Sequence, residues 1–267
     1  MGRVAVIQTL SGAHLNINLD TLLPFFEKAA AQGVELIVLP ENFAFMGHTE
    51  TDKYAIAEEI GHGEIQRLMS HLAQTYGLWV IAGTIPIKGH DQRVCAASLV
   101  YNDKGICVAR YDKIHLFDVS VSDNEHHQES NTIQPGSSVV VVDTPVGRVG
   151  LSVCYDVRFP ELYRQMVLQG AEIFTVASAF TAVTGKAHWD ILLRARAIEN
   201  LCYVLAPNQG GKHENGRSTY GHSMIIDPWG TVLGVTASGP SMIMADLDLE
   251  HLRLIRKRLP CNQHHVL

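Results

Sequence analysis

The chain carries three reactive side chains, each at the end of an apolar run: Glu41 in VLPENF, Lys113 in ARYDKIHLFD and Cys154 in GLSVCYDVRFPELY. A free thiol has a pKa of about 8.5, so only a small fraction is the nucleophilic thiolate at neutral pH. A neighbouring base can remove the thiol proton, and a fixed cation can stabilise the charge that forms when sulfur attacks a carbonyl. These residue types predict covalent catalysis by cysteine, with glutamate as the base and lysine as the cation.

The residues around Cys154 predict that it lies on a strand-to-helix turn. Residues 148–153, RVGLSV, have the apolar pattern of a buried strand, and Pro160 opens a helical pattern at a position where proline is tolerated. Such a turn exposes the sulfur and leaves backbone N–H groups, notably that of Tyr155, free to face a developing oxyanion. The alternative interpretation is that Cys154 is a small core residue.

The motifs VLPENF, YDKIHLFD and SVCYDVRFPELY, in this order and widely spaced, resemble the signatures of the carbon–nitrogen hydrolase (nitrilase) superfamily. Further matching strings are QESNTIQPG at 128–136, SAFTAVTGKAHW at 178–189, LLRARAIENLCYVLAPNQGG at 192–211 and YGHSMIIDPWG at 220–230. The resemblance covers essentially the whole chain, and the longer strings are most similar to the deaminated glutathione amidase branch. It implies a four-layer αββα sandwich, in which two sheets pack face to face, and a homodimer or higher homo-oligomer.

The resemblance implies the same roles as the chemistry: Glu41 is expected to be the general base, Lys113 the oxyanion-stabilising cation and Cys154 the nucleophile. Burial of Lys113 is expected because it lies between an apolar strand and Ile-His-Leu-Phe. Glu41 can serve as a base if desolvation raises its pKa toward neutrality. Glu129 matches a second glutamate that the family places beside the lysine, where it would orient the ammonium. The alternatives are that Glu41 is a surface carboxylate that caps the next segment, that Lys113 is an ordinary exposed lysine, and that Glu129 is an ordinary acid in a polar loop.

Arg158, four residues after the cysteine, is expected one helical turn away on the same side. Arginine suits a substrate carboxylate because its guanidinium binds in a bidentate fork. The resemblance implies that Arg158, together with Phe180 and Thr184, holds a 2-oxo acid group of the substrate. The alternative is a structural ion pair of Arg158 with Asp156 or Glu161.

The length and charge of the chain limit the classes of protein to which it can belong. With 267 residues and 46% hydrophobic content, we expect a single globular domain over residues 1–267. The net charge of −6, with scattered basic residues, argues against nucleic-acid or membrane partners. The apolar runs are too short for a transmembrane helix, and the first residues lack the pattern of a signal peptide.

Cysteine and histidine usage predicts a reducing, cytoplasmic location and no cofactor. The five cysteines are odd in number and show no CxxC spacing. The fourteen histidines include the adjacent pairs His126-His127 and His264-His265, but adjacent histidines rarely have the spacing that zinc ligation favours. The Gly210-Gly211 region lacks a nucleotide-binding glycine pattern. We therefore expect neither a metal nor a nucleotide.

Apolar periodicity predicts an α/β chain with a mixed sheet, because several strands follow one another without a helix between them. Strands are predicted at 3–8, 34–39, 78–85, 96–101, 106–111, 139–142, 148–154, 173–177, 203–207, 222–227 and 242–247. Helices are predicted near 18–32, 62–77, 160–169, 187–201 and 248–258. The polar segment 118–136, which contains Glu129, is predicted to be a functional loop.

Three functional hypotheses follow. The leading one is an amidase that cleaves deaminated glutathione to 2-oxoglutarate and cysteinylglycine through a Cys154 thioester. The second is an ω-amidase acting on 2-oxoglutaramate or another small carboxylate-bearing amide; a true nitrilase acting on C≡N groups also uses these residue types, but its flanking motifs match less well. The third, of a different class, is a catalytically silent homo-oligomeric interaction protein that keeps the fold.

Overall fold

The computed structural model describes residues 1–122, 125–264 and 266. Within them the strands are β1 (Gly2–Gln8), β2 (Leu36–Val38), β3 (Trp79–Lys88), β4 (Val94–Tyr101), β5 (Cys107–Asp112), β6 (Asp118–Ser122), β7 (Glu125–Gln128), β8 (Val141–Thr144), β9 (Gly147–Val153), β10 (Ile173–Ala177), β11 (Tyr203–Ala206), β12 (Gly210–Lys212), β13 (Ser218–Tyr220), β14 (Met224–Ile226), β15 (Val232–Val235) and β16 (Ser241–Leu247). The α-helices are α1 (Leu15–Asp20), α2 (Leu23–Ala31), α3 (Glu64–Tyr76), α4 (Pro160–Leu168), α5 (Ala182–Asn200) and α6 (Leu249–Arg258).

Two six-stranded mixed sheets form the centre of the described structure. The first sheet has the strand order β16-β1-β2-β3-β4-β5, and the second has the order β15-β14-β11-β10-β9-β8. Strands β1, β2 and β3 are parallel, as are β9, β10 and β11, and the outer strands of each sheet pair in antiparallel fashion. The predicted mixed sheet is therefore confirmed, but it occurs twice.

Successive buried residues of β1 belong alternately to two different cores, which shows how the layers stack. Val4 and Val6 belong to a core that also contains residues of the second sheet, such as Leu151. Ala5 and Ile7 belong to a separate core with side chains of α2 and α3. Because successive side chains of a strand point to opposite faces, the first sheet packs on helices with one face and on the second sheet with the other. Helices α4 and α5 add their buried side chains to the core of the second sheet, which completes the αββα sandwich.

The reactive residues come from strand ends of both sheets. Glu41 lies three residues after β2, Lys113 directly follows β5, and Cys154 directly follows β9. Strand β5 runs in the same direction as β2, because it is antiparallel to β4, which is antiparallel to β3, the parallel neighbour of β2. The carboxyl ends of β2 and β5 therefore lie at one edge of the first sheet, where they meet the end of β9.

Several element boundaries differ from the sequence prediction. The helix predicted over 18–32 is two helices, and Pro24 lies in the first turn of the second one. Helix α5 begins at Ala182 rather than near 187, capped by Thr181, whose side chain accepts from the Thr184 N–H. The loop predicted over 118–136 contains the β6–β7 hairpin. Short strands such as β12, β13 and β15 were not predicted, because three or four residues carry too little periodicity. No helix among the described residues is long and apolar enough to cross a bilayer.

A register shift in β3 positions the backbone around Glu41. Near this shift the Thr84 Oγ1 accepts a hydrogen bond from the Asn42 N–H at 2.9 Å. A Cβ on Gly83 would lie 1.8 Å from the backbone oxygen of Pro40, a separation that real Cβ atoms do not reach. The glycine therefore allows β3 to contact the Pro40 backbone directly, one residue before Glu41.

We predict that Gly83→Ala destabilises the protein by about 1–3 kcal/mol, because the added methyl group must displace backbone rather than a mobile side chain. It should also lower kcat, since the displaced segment carries Glu41. Urea unfolding and steady-state kinetics measure both effects. The matched control is Gly234→Ala in β15, where the new Cβ would lie 3.6 Å from the nearest side-chain atoms of Ile243. Equal stabilities of the two variants would contradict the prediction.

Candidate active site

A buried cluster of three charged side chains lies where the two sheets meet. The Lys113 Nζ donates to the Glu41 Oε1 at 2.8 Å and lies 2.8 Å from the Glu129 Oε2. The lysine side chain is 2% exposed, against 6% for Glu41 and 16% for Glu129. The Glu129 Oε2 also accepts from the Phe117 N–H at 2.7 Å, which holds this carboxylate against the lysine. The structure thus brings together three residues that are widely separated in the sequence.

The two carboxylates keep the lysine charged. Burial alone would lower the pKa of the Lys113 ammonium. The negative charges of Glu129 and Glu41 outweigh burial, so the pKa of Lys113 is raised well above its ordinary value. The site therefore holds a permanent cation with very little water around it.

The pKa of the Glu41 carboxyl is lowered, so the condition considered from the sequence, a pKa raised toward neutrality by desolvation, is not met in the free site. Burial does raise the pKa of its carboxyl group, but the Lys113 ammonium, with a smaller contribution from Arg217, outweighs it and lowers the pKa. The Glu41 Oε2 also accepts from the Ala179 N–H at 2.8 Å, and both Glu41 and Cys154 line the same cleft. Glu41 therefore has the charge of a base and faces the space that holds the thiol.

Cys154 lies in the predicted strand-to-helix turn, but the residue is buried, with 7% of its surface exposed, so the prediction that the turn exposes the sulfur is wrong. A short 3-10 helix, Cys154–Arg158, follows β9, and α4 begins at Pro160. The cysteine has a φ of +49°, in the left-handed region that non-glycine residues rarely adopt, and such strain is often found at functional turns. Burial, and then the charge of Glu41, raise the pKa of the thiol, and Lys113 opposes them only in part. The resting thiol is therefore protonated, so that attack by sulfur requires a base.

Asp156 ties this turn to the segment that carries the lysine. Its Oδ2 accepts from the Val153 N–H at 2.8 Å and from the Tyr111 hydroxyl at 2.6 Å. Its Oδ1 accepts from the His115 N–H at 3.1 Å and lies 2.7 Å from the His115 Nδ1. Sequence reasoning gave Asp156 no part in the site and considered it only as a partner for Arg158. The sequence signal for its role is its place two residues after the nucleophile.

A cleft with an empty volume of about 660 Å³, its open mouth included, leads to the charged cluster and Cys154. Besides Glu41, Lys113, Glu129 and Cys154, three further residues that the sequence selected line it: Tyr155, Phe180 and Thr184. Its wall also contains Glu50, Lys53 and Arg217, which sequence reasoning did not select. These three lie outside the recognised motifs, so none of those strings marks them.

Arg158 lies beside the cleft. Its guanidinium carbon is 5.4 Å from the ring centroid of Phe180 and 5.8 Å from that of Tyr155, two rings that line the cleft. Its terminal nitrogens are 3.3 Å from the His188 Nδ1. Among the described residues, Arg158 forms no ion pair with Asp156 or Glu161, and it does not itself line the cleft. Its part in substrate binding therefore stays a prediction.

The histidine pairs do not form a metal site within the part of the chain that the structure describes. There, no group of three or more His, Cys, Asp or Glu side chains is arranged to hold a metal ion. His126 and His127 lie in β7, and His127 lines the cleft. His265, the second residue of the C-terminal pair, lies outside the described residues.

Known proteins are similar to this chain in both sequence and fold. The chain is 42% identical to the deaminated glutathione amidases of Synechocystis sp. (strain PCC 6803 / GT-S) and Homo sapiens, over 98% of its length and 97% and 81% of theirs. The crystal structure of the C. elegans NitFhit protein superposes with a TM-score of 0.92 at 36% identity, covering 99% of this chain and 65% of that one. Residues 3–257 match the family model described as carbon-nitrogen hydrolase. The chain therefore belongs to the carbon–nitrogen hydrolase family.

Proposed function

We propose that the protein is an amidase that hydrolyses deaminated glutathione to 2-oxoglutarate and cysteinylglycine through a thioester on Cys154. The observation that carries the chemistry is the buried Glu41–Lys113–Glu129 cluster beside the thiol. The substrate is supported by the names of relatives that are about 40% identical over nearly the whole chain. An intact charged cluster also argues against a catalytically silent interaction protein.

Acylation begins with the neutral thiol and the ionised Glu41. Because the thiol has a raised pKa and Glu41 a lowered one, full proton transfer before attack is unfavourable. The proton therefore moves to Glu41 as the bond between sulfur and carbon forms. The carbonyl oxygen becomes an oxyanion beside Lys113, and an ammonium at about 4 Å contributes roughly 4 kcal/mol of gross attraction at an effective dielectric near 20. The Tyr155 N–H, near the start of the 3-10 helix, supplies a second donor.

The second half of the reaction reverses the proton transfer. Protonated Glu41 gives its proton to the amine nitrogen, the C–N bond breaks, and the thioester remains on Cys154. A water molecule then loses a proton to Glu41 and attacks the thioester carbon. The C–S bond breaks, the acid is released, and Glu41 returns the proton to sulfur to regenerate the thiol. Glu129 acts as a positioning residue, since it contacts Lys113 rather than the reacting atoms.

The acyl half of the substrate is assigned to the side of the cleft near α5. Phe180 and Thr184 line it there, and Arg158 packs against the ring of Phe180. An arginine can bind the carboxylate of a 2-oxo acid through two parallel hydrogen bonds. These residues would serve deaminated glutathione and 2-oxoglutaramate equally, because the two amides share the same acyl group.

We also propose the domain organisation, the oligomeric state and the cellular location of the protein. A single domain over 1–267 is supported by the pairing of β1 with β16, which joins the two ends of the chain. A homodimer or higher homo-oligomer is supported by exposed apolar side chains on α5 and near β15, including Ile191, Ile198, Trp229 and Leu233. A cytoplasmic location is supported by five cysteines that all carry free thiols. The small-molecule amide remains the proposed substrate partner.

We predict that the purified protein hydrolyses deaminated glutathione with a kcat/KM at least tenfold above that for 2-oxoglutaramate, which corresponds to about 1.4 kcal/mol of transition-state binding. Both reactions release 2-oxoglutarate, and a coupled assay that reduces this product measures their rates. Cys154→Ala should hydrolyse neither amide. A preference for 2-oxoglutaramate would instead identify an ω-amidase with the same catalytic residues, and full activity of Cys154→Ala would exclude the thioester.

We also predict that kcat/KM does not fall between pH 8 and pH 6 and that its acidic limb lies below pH 4.5, the ordinary pKa of glutamate. The sign follows from the required state: Glu41 must be ionised, and a lowered pKa keeps it ionised until the pH falls below the ordinary value. Initial rates across this range test the prediction, with circular dichroism at each pH to establish that the protein is folded. An acidic limb near pH 6–7 in the folded protein would contradict it.

A further inference from the structure

A second cavity adjoins the active-site cleft. It has an empty volume of about 590 Å³, and six residues line both spaces: Asn42, Glu50, Lys53, Ala96, Ile133 and Arg217. We call these six residues the junction. The remaining wall of the second cavity comes largely from residues 44–49, which follow the general base in the sequence. A ligand bound at Cys154 therefore has space to extend across the junction.

The junction carries an excess of positive charge. The Lys53 Nζ donates to the Glu50 Oε2 at 2.7 Å and to the Thr132 Oγ1 at 3.2 Å. Burial raises the pKa of Glu50, but Lys53 and then Arg217 outweigh it and keep this carboxyl ionised. Two cations thus face one carboxylate. The nearby cluster of Glu41, Lys113 and Glu129 has the opposite balance.

Arg217 has an N–H donor that no acceptor among the described residues satisfies. Its Nη2 donates to the Ala179 backbone oxygen at 3.0 Å, while its buried Nε has no acceptor among the described residues. A guanidinium has five N–H donors, and a buried charged donor without an acceptor is costly. A carboxylate is the ligand that satisfies such donors best, because its two oxygens match the planar fork.

The reaction places the amine half of the substrate on this side of the nucleophile. Glu41 must lie within hydrogen-bonding reach of the amine nitrogen in order to protonate it. Asn42 directly follows Glu41 and lines both spaces, whereas Phe180 and Thr184 on the acyl side line only the first. Atoms beyond the scissile nitrogen therefore extend from Glu41 toward the junction.

We propose, on the basis of the proposed function, that Arg217 and Lys53 form a subsite for the terminal carboxylate of the amine half of the substrate. The enzyme then selects amides whose leaving group is an amino acid or short peptide with a free carboxylate. Cysteinylglycine has such a group. The ammonia released from 2-oxoglutaramate does not. The subsite therefore lets the enzyme discriminate between these two substrates, whose acyl groups are identical.

The test compares deaminated glutathione with its C-terminal carboxamide, which differs only in lacking the terminal charge. The wild-type protein is expected to prefer the free carboxylate by tenfold or more in kcat/KM, mainly through KM. Lys53→Met should reduce this preference at least fivefold. The matched control is Lys28→Met on the exposed surface of α2, which removes the same charge and should keep the wild-type preference. Arg217→Gln is less diagnostic, because Arg217 also donates to the carbonyl of Ala179, the residue whose N–H holds Glu41.

The outcomes separate this proposal from the proposed function. If wild-type protein hydrolyses the free acid and the carboxamide equally well, the subsite is excluded while the amidase assignment stands. If deaminated glutathione is not hydrolysed at all, the proposed function fails, and the subsite is then tested by calorimetric titration of Cys154→Ala with both peptides. Equal affinities for the two peptides would exclude the subsite, and tighter binding of the free acid that Lys53→Met abolishes would support it.

Discussion

The buried ammonium of Lys113 is the constraint on which the rest of the structure depends. Taking an ion of this size out of water costs several kcal/mol even after relaxation, so it must be met by opposite charges with good geometry. Glu41 and Glu129 provide them, each at 2.8 Å. These three side chains come from separate segments, which only the packed sheets and the hairpin that precedes Glu129 can hold together. Removing either carboxylate would leave a buried charge poorly compensated.

The same arrangement of charges favours the oxyanion of the proposed reaction over the resting state. At rest, the ammonium is shared between two carboxylates, and the thiol beside them is neutral. In the proposed reaction, negative charge develops on a substrate oxygen near Lys113 and the lysine attracts that oxygen, while the proton taken up by Glu41 removes one competing charge. The cluster is therefore better matched to the oxyanion than to the resting state, as catalysis requires. Asp156 preserves this match, because it connects the turn of Cys154 with the backbone next to Lys113.

Beyond the reacting atoms, the distribution of charge along the cleft changes sign. The cluster of Glu41, Lys113 and Glu129 has one more acid than base, whereas the junction has one more base than acid. An amide with a neutral scissile bond and a carboxylate at its far end fits this order of charges. Glu41 and the junction are joined through one residue, since the Ala179 N–H donates to Glu41 and the Ala179 carbonyl accepts from Arg217. Chemistry and proposed substrate selection therefore share a backbone element.

The sequence by itself determined the local features: the strand before Cys154, the proline that opens α4, the mixed order of strands and, through motif resemblance, the trio Glu41, Lys113 and Cys154. These depend on short-range periodicity and residue type. Only the tertiary structure shows that Lys113 lowers the pKa of Glu41, that Asp156 holds the turn of Cys154, and that Arg217 and Lys53 line the cleft. The reason is physical: pKa values and cavity walls depend on distances between segments far apart in the chain, which no local pattern encodes.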